Sequence, residues 1–310
     1  MTAASLLESA VRQLHACHIE EARLDAELLL AAACRQTRAW LLAHGDEPLN
    51  EAETLRFAGF VERRARHEPV AYILGHKEFY GLDLLVDRRV LIPRPETETL
   101  VAEALAWLRR ASVITSTARA DPTDPSPSRG EGSITVIDVG TGSGALALAL
   151  AAHTPPDRVR LVAGDVSPDA LAVAGANAAR LGLTERITFV QSDLLLCIDA
   201  HIDACAGLMV ANLPYVARAA WAELAPDISA YEPHLALDGG ADGLDLFRRF
   251  FAQAPAHLAP GGALLLEIGW QQAAAVRFLA QAAFPHAQVD IAQDLAGQDR
   301  VALIGTRHAR

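Results

Sequence analysis

The chain has 310 residues, 51% hydrophobic and 21% charged, with 38 acidic against 27 basic side chains and a formal net charge of -11. That length is enough for one large or two ordinary domains, each burying its own core. A protein gripping duplex through phosphate neutralisation is normally basic, so nucleic acid is a disfavoured partner.

The four cysteines, Cys17, Cys34, Cys197 and Cys205, form no CxxC pair and have no histidines at ligand spacing, which implies neither a disulfide framework nor a metal site. Charged residues come too early and too often for a secretory leader, and the longest apolar run, 145–152, is far too short to span a bilayer. A soluble cytoplasmic protein with no membrane contact is expected.

Residues 1 to about 75 carry helical periodicity and no convincing strand. Leu6, Leu7, Val11 and Leu14 share one face, Leu28, Leu29 and Ala32 another, and Leu55, Ala58 and Val61 a third; the last helix opens at Asn50 with Glu53 in capping position. Eight arginines against eleven acids make this no basic arm. Residues 76–95 change pattern: Phe79, Leu82, Leu84 and Val86 are spaced like a hairpin, and the following helix opens near Pro95, with Glu96 and Glu98 where its dipole favours anions. The Pro, Ser, Asp and Gly content of 112–132 predicts a flexible loop.

From residue 134 strands and helices alternate. Strands are expected at 134–139, 159–164, 187–191, 207–212 and 262–269, with helices after Ser143, Ser167, Gly243 and Trp270. Apolar runs rather than strict alternation predict strands covered on both faces, hence a mostly parallel sheet in a doubly wound α/β domain. Two last strands, 287–292 and 300–306, flank DLAGQD and read as a C-terminal hairpin, giving seven strands in 96–310.

Four motifs fall at strand ends. Gly140, Thr141, Gly142, Ser143 and Gly144 follow the first strand and open a helix, a nucleotide-type turn whose glycines let the backbone approach a ligand while free N–H groups face it. Asp165 follows the second strand, 21 positions after Gly144, where a carboxylate can accept both hydroxyl hydrogens of a ribose. Asp193 and Leu194 follow the third; the carboxylate can meet an exocyclic adenine amine and the leucine can pack on the base. These three together fit NAD as well as another adenosine-bearing cofactor, since Gly140, Gly142 and Ala145 also satisfy the dinucleotide fingerprint. The fourth, Asn212-Leu213-Pro214-Tyr215, closes the fourth strand beside the expected switch point.

This last motif resembles the [DN]-P-P-[YFW] signature of methyltransferases that modify nitrogen in a planar amide or amino group with S-adenosylmethionine. An amide nitrogen is a poor nucleophile because its lone pair is delocalised. The Asn212 side-chain oxygen and a neighbouring backbone carbonyl can accept its two hydrogens while Tyr215 packs on the amide face, so that positioning supplies much of the rate. Leu213 stands where a first proline is common; Pro214 still favours extended backbone at Leu213.

A more specific resemblance rests on residues 68–98 (EPVAYILGHKEFYGLDLLVDRRVLIPRPETE), DVGTGSGALALAL, NLPYV, YEPHLAL and GGALLLEIGWQQ, in that order. It is to the HemK/PrmC family of protein-glutamine N5-methyltransferases acting on peptide chain release factors. The resemblance implies a Rossmann-like class I methyltransferase domain preceded by a small all-α substrate-recognition domain. It also implies S-adenosylmethionine over Gly140 to Gly144, Asp165, Asp193, Leu194 and Asn212, with S-adenosylhomocysteine as product, and the glutamine of the release factors' GGQ loop held by Asn212, Leu213, Pro214 and Tyr215. Arg94, Glu96 and Thr97 would line the entrance, and Glu232 and Pro233 close the pocket. Rival readings are a ribosomal-protein glutamine methyltransferase, a nucleic-acid amino-methyltransferase, which would want a basic face, and an NAD-dependent oxidoreductase, which leaves Asn212 to Tyr215 unexplained.

Overall fold

A computed structural model describes residues 1–117, 133–202 and 205–306. The chain divides into two compact units. The smaller comprises residues 1–76, 86–88 and 224–232, the larger 77–85, 89–223 and the remainder from 233 onward.

The smaller unit holds α1 (Ala3–Ala16), α2 (Ala22–Cys34), α3 (Arg38–Ala43), α4 (Glu51–Ala65) and α5 (Val70–Leu74). Leu14, Leu29, Leu30, Phe57, Val61 and Ile73 form its core. Asn50 and Glu53 make the expected capping box at the start of α4. The expected face of that helix is corrected. Leu55 is 66% exposed and Ala58 is exposed, while Phe57, Val61 and Arg64, spaced four and seven apart, turn inward. Phe57 offers more apolar area than either, and Arg64 is buried because its Nε meets Asp25 at 2.7 Å. Residues 224–232 belong to the same unit although they lie far along the sequence: the Tyr231 hydroxyl donates to the Arg66 carbonyl at 2.7 Å, and the Arg88 guanidinium lies 4.7 Å from the Tyr231 ring centroid.

From Lys77 onward the larger unit takes in the hairpin of β1 (His76–Phe79) and β2 (Leu82–Leu85), closed by Tyr80 and Gly81, both at positive φ as a two-residue turn requires. Then follow α6 (Thr97–Thr117), β3 (Ile134–Val139), α7 (Ala145–His153), β4 (Val159–Asp165), α8 (Pro168–Arg180), β5 (Ile187–Gln191) and β6 (Ala206–Ala211). After the smaller unit's α9 (Pro226–Tyr231) come α10 (Asp245–His257), β7 (Leu258–Glu267), α11 (Ala273–Ala283), β8 (Gln288–Gln293) and β9 (Asp299–Gly305). Helix α6 continues into the first residues of the loop expected at 112–132; the rest, 118–132, lies outside the described residues.

The seven strands lie in the order β5-β4-β3-β6-β7-β9-β8, parallel except where β9 runs antiparallel to both neighbours. Alternate residues feed two cores. Val136, Leu161, Leu208 and Leu265 face α6 and α7; Ile137, Val162, Met209 and Leu264 face Phe247 and Phe250 of α10 and Val276 of α11. Strand β7 starts four residues before the expected 262. A bulge between its pairings with Ala206 and Leu208 absorbs Pro260-Gly261-Gly262, a triplet that reads locally as a turn.

Candidate active site

Strand β3 is flanked by β4 on one side and β6 on the other, and the chain winds away from it in both directions. Val139 is in register with Gly164 and with Ala211, so the segments opening at Gly140, Asp165 and Asn212 leave the sheet side by side. This is the switch point at which open sheets bind ligands. A cavity of about 420 Å³ lies there.

Gly140 N and Thr141 N both donate to the Gly164 carbonyl, at 2.8 and 2.9 Å, which starts the turn. Gly142 at φ +56° and Gly144 at φ +85° then take left-handed backbone that a side chain disfavours. A Cβ on Gly142 would meet nothing within 4 Å, because that face is the cavity wall. One on Gly144 would lie 2.9 Å from Leu148 Cδ1 and 3.2 Å from Ala174 Cβ. Thr141 and Ser143 are buried and line the same wall. Beneath them Asp138 is fully buried; its Oδ2 accepts from Thr141 Oγ1 at 2.7 Å and Ala147 N at 3.1 Å, while Oδ1 has no partner among the described residues. Burial pushes this carboxyl up to about 7, against the pull of its two donors.

Asp165 supports the turn as well as lining the cavity. Its Oδ2 accepts from Gly142 N at 2.8 Å and its Oδ1 from Ser167 N at 2.9 Å; burial raises its pKa while these backbone donors oppose the rise. Each oxygen keeps a further lone pair. Asp193 and Leu194 also reach the cavity, Leu194 at φ +55°, but Asp193 is already in an ion pair, with its Oδ2 2.5 Å from an Arg249 guanidinium nitrogen. Arg249, on α10, carries no motif and was not expected.

Asn212, Leu213 and Pro214 line the opposite wall. Leu213 is buried and its Cδ2 lies 3.5 Å from where a Gly140 Cβ would stand, so the leucine fills the space over the glycine turn. Tyr215 stands one step behind, off the cavity lining, and its hydroxyl donates to Glu267 Oε1 at 3.2 Å. Burial and the neighbouring Glu267 carboxylate raise its pKa. Gln272 anchors the end of the motif, donating from Nε2 to the Tyr215 and Gly243 carbonyls, both at 3.1 Å.

Of the outer residues, Thr97 and Pro233 line the cavity, whereas Arg94, Glu96 and Glu232 do not. Two buried polar residues behind the cavity belong to no sequence motif. Asn177 of α8, fully buried, donates to the Ser143 and Leu85 carbonyls at 2.9 and 3.0 Å and accepts from Leu85 N at 2.6 Å, tying the glycine turn to β2. Glu267, the last residue of β7 and 1% exposed, accepts from Thr97 Oγ1 at 2.5 Å as well as from Tyr215.

A glycine turn, a ribose-type carboxylate and an Asn-Leu-Pro-Tyr corner on one edge of a seven-stranded sheet with antiparallel β9 define a Rossmann-like class I methyltransferase. The comparisons agree. Residues 136–230 match the methyltransferase domain model and residues 5–75 the PrmC N-terminal domain model. The release factor glutamine methyltransferase of Moorella thermoacetica is 43% identical over 301 residues, 97% of each chain. That of Cereibacter sphaeroides is 41% identical over 303 residues, again 97% of each. The hMettl16 catalytic domain, solved with MAT2A 3'UTR hairpin 6, superposes with a TM-score of 0.53 at 15% identity, covering 84% of this chain and 83% of that one, a likeness of fold alone. The chain belongs to the release factor glutamine methyltransferase family.

Proposed function

We propose that this protein methylates the side-chain amide nitrogen of the glutamine in the GGQ motif of peptide chain release factors, giving N5-methylglutamine. The observation that carries the reading is the adjacency of Asn212 to the glycine turn: both leave neighbouring strands in register and line one cavity. Family membership at 43% identity supports the same acceptor.

The cavity fits S-adenosylmethionine. Its volume suits a ligand of that size, Gly142 leaves its face open, the wall at Asp165 offers carboxylate lone pairs, and the orphaned Asp138 Oδ1 lies beneath the turn. Gly140, Thr141, Gly142, Ser143, Asp165, Asp193, Leu194 and Asn212, all on the cavity lining, are the residues we assign to hold it, whereas Gly144, expected among them, lies off the lining and serves the turn by packing against Leu148 and Ala174. With Asp193 engaged by Arg249, that ion pair together, rather than the carboxylate alone, is what an adenine edge would meet. When bound, the group supplies a methyl on a sulfonium, a strong electrophile. The chain must then supply alignment rather than a strong base.

Asn212 Oδ1 and a neighbouring backbone carbonyl accept the acceptor's two N–H hydrogens and hold its lone pair in line. Leu213 and Pro214 shape the wall beside it. Tyr215 acts from behind, through the hydroxyl it gives to Glu267 and the backbone carbonyl held by Gln272. No histidine, cysteine or metal is called on.

Residues 1–75 are proposed as the part that recognises the release factor, in keeping with their match to the PrmC N-terminal domain. An acidic chain receiving a protein loop needs no nucleic-acid contact, and the cytoplasm is where release factors work. No described helix is long and apolar enough to cross a membrane. The test is incubation of purified release factor, and separately of ribosomal proteins, with labelled S-adenosylmethionine. Label in the GGQ peptide is expected; label only in a ribosomal protein would move the assignment to the rival branch.

A further inference from the structure

The Asn212 amide has two ends of similar shape and opposite function, and only the oxygen end can accept an acceptor N–H. Its Nδ2 donates to Thr97 Oγ1 at 3.2 Å, and Thr97 Oγ1 donates to Glu267 Oε2 at 2.5 Å. The other Glu267 oxygen accepts from the Tyr215 hydroxyl. Thr97 and Glu267 are 4% and 1% exposed, so water does not offer substitute partners.

The polarity of this chain follows from proton counting. Both Glu267 oxygens face hydroxyls; burial raises its pKa, opposed by the Thr97 hydrogen bond, the Arg300 charge and the Tyr215 hydrogen bond, and in the ionised form that these two donors and the cation favour, the carboxylate can only accept. Thr97 has one hydroxyl hydrogen, and it is committed to Glu267. Toward Asn212 the threonine oxygen can therefore only accept, so the NH2 end must face Thr97, and it is Oδ1, with no donor among the described residues, that remains to meet an acceptor.

We infer that Glu267 and Thr97 are positioning residues that fix the orientation of the Asn212 amide, so that its oxygen rather than its nitrogen meets the acceptor glutamine. This deepens the proposed reaction and rests on it. Neither residue touches the reacting atoms; Glu267 sets the direction of the relay and Thr97 transmits it over 170 and 115 positions of sequence.

Glu267→Gln separates direction from shape. The glutamine keeps every hydroxyl bonded if its oxygen accepts from Tyr215 and its NH2 donates to Thr97. Thr97 must then donate to Asn212 Oδ1, which turns the Asn212 NH2 toward the acceptor and sets donor against donor. The assay is kcat and KM on a release factor, with S-adenosylhomocysteine affinity by calorimetry and Tm by scanning calorimetry as readouts independent of turnover. Expected are a fall of at least about tenfold in kcat/KM for Glu267→Gln and S-adenosylhomocysteine affinity within about twofold of the parent. Thr97→Ser, which keeps the hydroxyl, should stay within about threefold of the parent. Thr97→Val cuts the relay, so the double variant Thr97→Val, Glu267→Gln should be no slower than Glu267→Gln alone.

Losses that multiply in the double variant, or a Glu267→Gln enzyme as fast as the parent, would overturn the inference. So would a Thr97→Ser enzyme as slow as Thr97→Val. A parent enzyme that leaves release factors unmethylated would instead overturn the proposed reaction itself. Should Glu267→Gln fail to fold, the Thr97→Val and Thr97→Ser pair decides alone: equal rates refute the relay.

Discussion

The two glycines flanking Ser143 can be set against each other by adding the same single methyl group to each. Gly144→Ala forces a side chain into left-handed backbone, about 1–2 kcal/mol, and drives its Cβ to 2.9 Å from Leu148 Cδ1 and 3.2 Å from Ala174 Cβ. Leu148 is fully buried and Ala174 has no torsion to yield, so an overpacking cost of about 1–3 kcal/mol adds to the first. The expected total is about 3 kcal/mol. Gly142→Ala bears the backbone cost alone, about 1–2 kcal/mol, because nothing lies within 4 Å of its Cβ. That methyl instead enters the cavity. Urea unfolding followed by near-UV signal from the larger unit, with calorimetric titration of S-adenosylhomocysteine, should therefore give different rankings. Gly144→Ala should be the less stable by about 1–3 kcal/mol, the share left to overpacking; Gly142→Ala should remain folded yet bind at least about tenfold more weakly. Equal stabilities, or parental affinity in Gly142→Ala, would refute the reasoning.

Two further predictions concern buried polar groups. Asn177→Ala leaves the Ser143 carbonyl and both Leu85 backbone groups unpaired, which should destabilise the fold by about 3 kcal/mol and loosen the glycine turn; unchanged stability in urea and unchanged S-adenosylhomocysteine affinity would count against that role. Asp138, buried with a pKa near 7 against 3.8 for a free aspartate, keeps its proton in the ligand-free fold where the unfolded chain has lost it, so its contribution to stability falls as pH rises from about 4 to 7. At about 1.4 kcal/mol per pH unit, Asp138→Asn should gain on the parent by up to about 4 kcal/mol across that window, and a pH-independent difference measured by denaturation would contradict it.

The site's ligand-facing side was legible because each motif sits at a strand end, where a short run of glycines, an acid or an Asn-Leu-Pro-Tyr has a local reason to be. β3 and β5 begin and end where the apolar runs do, and the register of β3 with β4 and β6 does the rest. What lies behind was not legible. Glu267 closes an apolar run and Asn177 sits within a helix of small residues; neither has a local signature, and each matters only through partners brought near by folding. Arg249 could be read as an ordinary polar position of an amphipathic helix until it meets Asp193. The same holds for 224–232, whose place with the helical unit depends on Tyr231 reaching Arg66 across 165 positions. On α4 Leu55 and Ala58 keep a helical spacing with Val61, but the inward face is taken by Phe57, Val61 and an arginine whose acid is on α2, a partner no local pattern reveals.

The central claim is that Asn212, held beside the glycine turn, presents a release-factor glutamine for methylation. Its most direct test is mass spectrometry of the GGQ-containing peptide after incubation of a purified release factor with S-adenosylmethionine and either the parent enzyme or Asn212→Ala. The account predicts one methyl group on the glutamine side chain with the parent and, at matched times, at least about a hundredfold less with the variant. A methyl group found on another residue, or equal methylation by Asn212→Ala, would contradict it.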